Sequence, residues 1–134
     1  MEKEFVPYEL ALRMKQLGFD EPCFGFYDES LYFPNNKNQY GTFCNQKLDA
    51  PSCSAPLFRQ AFRWFREKYN LDGYVSVDVW NMRTSSYRIT GGIKGHIEAD
   101  SYGSLYDIDS KEYEVYEEAE LACLERLIEI VEQK

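Results

Sequence analysis

Residues 55–69 read APLFRQAFRWFREKY, and their periodicity decides the fold. At 100° per residue, Leu57, Phe58, Ala61, Phe62, Trp64, Phe65 and Tyr69 gather in one arc, with Arg59, Arg63, Arg66 and Glu67 opposite. That pattern predicts an amphipathic helix. Pro56 suits its first turn, where a missing N–H costs nothing, and Ser54 is placed to cap the free donors. Five aromatic rings on one side need a broad dry surface, so the helix is expected to sit on a sheet.

Working outward, residues 116–132 form a second strong helical pattern, with Leu121, Leu124, Leu127, Ile128 and Val131 on its apolar side and Tyr116, Cys123 and Ile130 at the edge. Glu117, Glu118 and Glu120 crowd its first turns, where the helix dipole favours negative charge. Residues 7–17 predict a shorter helix on Leu10, Met14 and Leu17, stopped by Gly18, with Phe19 folding back on Met14. Cys23 to Tyr27 and Leu31 to Phe33 read as a hairpin. Residues 34–54 lose all apolar period and read as a long polar loop, with a short strand possible at 40–44.

Tyr74 to Trp80 alternates, placing Val75, Val77 and Val79 on one face and Tyr74, Ser76, Asp78 and Trp80 on the other. Strands at 87–90 and 93–99 flank Gly91-Gly92, which suits a two-residue turn. Further strands are expected at 102–106 and 112–115, separated by a polar turn at 107–111. The connections are too short for crossovers, so the sheet is mostly antiparallel. The expectation is one α+β domain over 1–134: two layers, about three helices, the central and C-terminal ones on one sheet face.

Composition narrows the function. All of the net charge of −8 comes from residues 71–134, which hold fourteen acidic and six basic side chains. Such a surface repels phosphates and argues against direct nucleic-acid binding, while leaving room for a basic partner or for acidic mimicry of nucleic acid by carboxylates 112, 114, 117, 118 and 125. Aromatic residues make up 16%, with eleven tyrosines, a surplus suited to half-buried faces and interfaces. The N-terminal MEKEFVPYEL lacks the apolar run of a signal peptide and no window has membrane-spanning length, so a cytoplasmic setting without membrane association is expected.

His96, Glu98 and Asp100 alternate on one strand face, with Asp78 on a neighbouring strand; imidazole and carboxylates there could ligate a divalent ion or exchange protons. Polar residues are equally required at those positions simply to meet water. Cys23, Cys44, Cys53 and Cys123 are separated by 21, 9 and 70 residues, without the close pairs of a structural zinc site. They read as free thiols, although Cys44 and Cys53 bracket a loop and could meet. Arg59, Arg63 and Arg66 form a basic stripe able to hold phosphate or an acidic partner, or merely a solvated face. Glu120 falls within the apolar arc of its helix and, if buried, needs a partner such as Arg88 or a tyrosine hydroxyl. No phosphate-cradling glycine loop, GxSxG or HExxH is present, and nothing calls for a cofactor.

The stretches LGFDEPCFGFYD at 17–28, APLFRQAFRWFREKYNL at 55–71 and YEEAELACLERLIEIVE at 116–132 resemble small proteins carried by phages and prophages of gut Bacteroidales bacteria. That family has no assigned activity, so the resemblance implies a genetic setting and carries over no site residue. The residues themselves favour a non-enzymatic accessory protein that binds a protein partner or itself, through the sheet face with Tyr74, Trp80, Arg88, Lys94, His96 and Glu98 or through the long loop at 34–54, with Arg59, Arg63 and Arg66 as further candidate binding residues. The alternative is a small enzyme or ligand-binding domain with a pocket under residues 34–54 and His96, Glu98 or Cys44 in it.

Overall fold

The computed structural model describes residues 2–32, 43–49, 51–78, 84–91 and 106–133. It is an α+β fold with three α-helices and two small antiparallel sheets. The chain groups into two compact units, Met1–Ala61 and Phe62–Lys134, the division falling inside the central helix.

In the first unit, α1 spans Tyr8–Gln16 and buries Leu10, Ala11 and Met14. Its end follows the expectation: Gly18 takes φ 99°, its N–H donates to the Lys15 carbonyl at 3.0 Å, and the Phe19 N–H donates to the Met14 carbonyl at 3.0 Å. Those two bonds satisfy carbonyls the helix leaves open, and Phe19 packs down beside Met14, both fully buried. Strands β1 (Gly25–Asp28) and β2 (Ser30–Tyr32) form the expected hairpin around Glu29, which adopts a left-handed φ of 66°.

The third strand of this sheet, β3, was not foreseen. Cys53–Ala55 pairs antiparallel with β1, and α1 packs against it. All three residues are buried. Ser54 is therefore a strand residue and not a helix cap, and the central helix α2 starts later, at Phe58–Tyr69. Leu57 precedes it, its carbonyl accepting from the Ala61 N–H, and the Pro56 carbonyl accepts from the Val6 N–H at 2.8 Å. Pro56 thus serves an extended segment, where its fixed φ is equally at home. Nor is the whole of 34–54 loose: Phe43 bridges Cys23, and Asn45–Lys47 form a 3-10 turn.

α2 has the polarity its sequence predicts. Phe58, Ala61, Trp64 and Phe65 are buried; Arg59, Arg63, Arg66 and Glu67 are exposed. In its second half Trp64, Phe65 and Tyr69 pack edge to face and tilted, with centroids 5.0–5.9 Å apart, and the Lys68 ammonium lies 5.0 Å over the Trp64 ring. Asn70, one of the few residue types that tolerates a left-handed φ (56°), ends α2 and turns the chain into the next strand.

The second unit holds β4 (Leu71–Asp78), β5 (Thr84–Gly91) and β6 (Tyr106–Tyr113), ordered β4-β5-β6, with α3 (Tyr116–Glu132) lying across β4 and β5. α3 has the expected bounds and buries Ala119, Cys123, Leu124, Leu127, Ile128 and Val131. Leu121, expected on that face, is at its margin and 38% exposed. Three strand expectations are corrected. Tyr87–Thr90 does not form a hairpin across Gly91-Gly92, because β5 is already paired with β4 on one side and β6 on the other as far as Gly91. Residues 107–111 are not a turn but the middle of β6. Backbone pairing with β5 overrides the weak strand preference of Asp and Ser. The third correction concerns the valines. Val75 is half-buried and Val77 is 55% exposed, so the α3-facing core of β4 is Leu71 and Gly73. Val79 and the expected strand 93–99 lie outside the described residues.

Gly73 fixes how closely α3 approaches. A Cβ at this position would stand 2.7 Å from Leu127 Cδ1 and 3.0 Å from Cys123 Sγ, and both neighbours are fully buried. No helix among the described residues is long and apolar enough to cross a membrane. Overpacking costs about 1–3 kcal/mol, more than the ~0.4–1 kcal/mol gained by removing a glycine from the unfolded chain. Gly73→Ala should therefore lower stability in urea unfolding. In a Leu127→Ala background the same change should be neutral or stabilising, whereas equal losses in both backgrounds would place Gly73 away from α3.

Candidate interaction surface

Register decides which β4 and β5 side chains share a face. Gly73 opposes Ile89 and Val75 opposes Tyr87 on the α3 side; Tyr74 opposes Arg88 and Ser76 opposes Ser86 on the other. Tyr74 is 41% exposed and Arg88 is exposed, while the Ser76 and Ser86 hydroxyls are 3.2 Å apart. Glu112 of β6, opposite Ser86, continues this face and is exposed. Toward the start of β4 the face closes: Thr90, opposite Asp72, is buried. The open part is thus centred on Tyr74 and Arg88. Directly opposed strand residues hold their Cβ atoms about 5 Å apart, so ring and guanidinium form one contiguous patch. Trp80, Lys94, His96 and Glu98, expected on the same face, lie outside the described residues.

Arg59, Arg63 and Arg66 are all exposed on α2. Arg66 is 3.7 Å from Asp72, a surface ion pair of the kind worth under about 1 kcal/mol. Arg66 is therefore already engaged within the chain, which weakens the reading of three arginines gripping a phosphate together.

The first unit contains a polar cluster that the sequence did not announce. Asn45 is buried, its Nδ2 donating to the Phe19 carbonyl at 2.6 Å and its Oδ1 accepting from the Ser54 N–H at 2.9 Å. The Lys15 ammonium donates to the carbonyls of Leu48 and Ser52 at 2.9 and 2.7 Å, and Tyr8 donates its hydroxyl to the Pro51 carbonyl. The Gln46 N–H reaches Asp20 Oδ1 at 2.8 Å. Residues 45–54 are thereby sewn to α1 and to its exit. These partners are 9–43 residues apart, so no local pattern marks them.

All four cysteines are free, including Cys44 and Cys53. Burial pushes the Cys23 thiol up to about 12, only partly opposed by hydrogen bonding to Ser54 and Gln60, with Glu21 and Cys44 adding to the rise. Burial likewise raises Cys53 to about 11 against the pull of Lys15. The thiolate is the nucleophile, so both are inert at neutral pH. Cys123 is fully buried and Cys44 half-buried. Among the described residues no group of three His, Cys, Asp or Glu side chains is placed to hold a metal ion.

Glu120 occupies the apolar arc of α3 as the sequence indicated, and it is half-buried. Burial first, and then the neighbouring Glu117, hold its carboxyl above the ordinary range. Tyr116 is raised as well, by burial, then Glu120, then Glu117.

No known protein family, curated protein or solved structure matches this chain.

Two outcomes follow from these environments. At pH 8 a thiol reagent should modify one cysteine of the native protein, lost in Cys44→Ser, with the other three reacting only in denaturant; rapid native labelling of Cys23 or Cys53 would contradict their burial. Because the folded pKa of Glu120 is raised, its ionisation opposes folding, a cost absent below about pH 4 that grows as the pH rises through the folded pKa. Glu120→Gln should then raise Tm by roughly 1–3 °C at pH 7 and leave it unchanged near pH 4; a lower Tm at pH 7 would show that the carboxylate has a stabilising partner.

Proposed function

We propose that this protein acts by binding another protein, or a second copy of itself, through the outer face of the β4-β5-β6 sheet. Catalysis has no part in this reading. The observation that carries it is the pairing of an exposed Tyr74 with an exposed Arg88 on the sheet face that does not meet α3. Tyrosine and arginine are the residues most enriched among those that dominate interface energies. A tyrosine offers a flat apolar ring of low conformational entropy and an arginine offers directional donors, so side by side they can seat an apolar group and an acceptor at once. The resemblance to phage- and prophage-borne proteins of gut Bacteroidales gives the proposed setting: an accessory factor in the cytoplasm of a bacterial host.

The test compares wild type with Tyr74→Ala/Arg88→Ala, both being surface changes expected to leave Tm unaltered. Immobilised wild type should retain a stoichiometric partner from bacterial lysate, or sediment as an oligomer, and the double variant should lose that behaviour. Equal retention by both proteins, or a strictly monomeric wild type that retains nothing, would overturn the reading.

A further inference from the structure

We propose that the end of the second unit where β6 runs into α3 is a separate docking site, and that its occupant is a basic, amphipathic segment of a partner protein. The apolar part comes from three exposed side chains. Val115 and Tyr116, in and after the bend that joins the two elements, are each 44% exposed, and Val77 is 55% exposed. Register places Val77 in one cross-strand row with Ser85 and Tyr113, on the sheet face that α3 covers farther along at Gly73. Val77 and Tyr113 are two strand spacings apart, about 10 Å, and Tyr116 follows Tyr113 by three residues. Ser85, between them, is buried and Tyr113 is half-buried, so the exposed apolar groups are Val77 at one end of this row and Val115 and Tyr116 beyond the other.

Its rim is acidic. From 113 to 120 the chain carries four glutamates and no lysine or arginine. Glu114, Glu117 and Glu118 are exposed, and none of them forms an ion pair among the described residues. The helix dipole accounts for Glu117 and Glu118 in the first turn of α3. It does not account for Glu114, nor for a valine and a tyrosine left in water between carboxylates. Tyr116 and Glu120 are raised first by burial, with Glu117 adding to both and Glu120 to Tyr116.

Charge complementarity selects the occupant. A second copy would bring two acidic rims together, and a nucleic acid or an anionic lipid surface would be repelled. A segment presenting Lys or Arg beside apolar side chains neutralises the rim and covers Val115, Tyr116 and Val77 in one step. This surface lies on the α3 side of the sheet, away from Tyr74 and Arg88, so it stands or falls independently of the function proposed above.

The test titrates isotope-labelled full-length protein with two short peptides of equal positive charge, one of Lys and Leu patterned as an amphipathic helix, the other with Ser in place of each Leu. The Lys/Leu peptide should bind about tenfold tighter or more and shift amide signals of Val77 and of Tyr113 through Glu120. Val115→Ser/Tyr116→Ser should erase the difference between the peptides, and Glu114→Gln/Glu117→Gln/Glu118→Gln should weaken both by a similar factor, with folding of each variant checked by its Tm. Equal affinities for the two peptides on wild type, shifts confined to other surfaces, or self-association through Val115 and Tyr116 without peptide would each overturn the proposal.

Discussion

No side chain fits between β4 and α3 at position 73. With Leu127 and Cys123 standing where a Cβ would go, the helix rests on bare backbone, and that contact sets the depth and heading of the C-terminal layer. The rest of the second unit follows from it. Ala119, Cys123, Leu124, Leu127, Ile128 and Val131 form the stripe that such an approach can dry out, and Ile89 and Tyr87 on the neighbouring strand complete the surface they meet. Glu120 is left half-buried at the centre of the apolar arc, and Val77 remains wet.

Seating one helix on one face also divides the sheet chemically. The inner residues of β4 and β5 serve packing, whereas Tyr74, Ser76, Ser86 and Arg88 lie on the other face, where Tyr74 and Arg88 are exposed. The first unit solves its own problem differently. Its sheet is small, and residues 45–54 are held by side-chain bonds to distant carbonyls through Asn45, Lys15 and Tyr8. Leaving a buried polar group unpaired costs about 1–3 kcal/mol, so a cluster of this kind fixes one conformation of a segment too polar to be fixed by apolar contacts.

The sequence made legible whatever repeats with a period. Seventeen residues of α3, the polarity of α2 and the glycine stop of α1 were all written in spacing that survives without tertiary context. Parity alone placed Tyr74 on the face opposite Val75 and Val77, and Arg88 joined it through register. What escaped depends on partners far along the chain. β3 is three residues long and reads as a cap because Ser54 and Pro56 suit a helix start equally well. β6 reads as a turn because Asp and Ser are rare in strands, and only the ladder with β5 makes it one. Gly73 lay outside the strand expected from Tyr74 to Trp80, and its close approach to α3 is invisible until the helix is in place. The exposed Val77 was misjudged for the same reason: alternation gives the face but not how far along it the covering helix reaches.

The account rests on α3 and the Tyr74–Arg88 pair occupying opposite faces of one sheet. Proton–proton Overhauser contacts in solution read this directly. Gly73 α-protons should show strong cross-peaks to the Leu127 methyls and to the Cys123 β-protons, while the Tyr74 ring should show contacts to Arg88 and none to any α3 methyl. Tyr74 ring contacts to Leu127 or Leu124, with Gly73 silent toward α3, would contradict the assignment of the two faces and with it the surface proposed for binding.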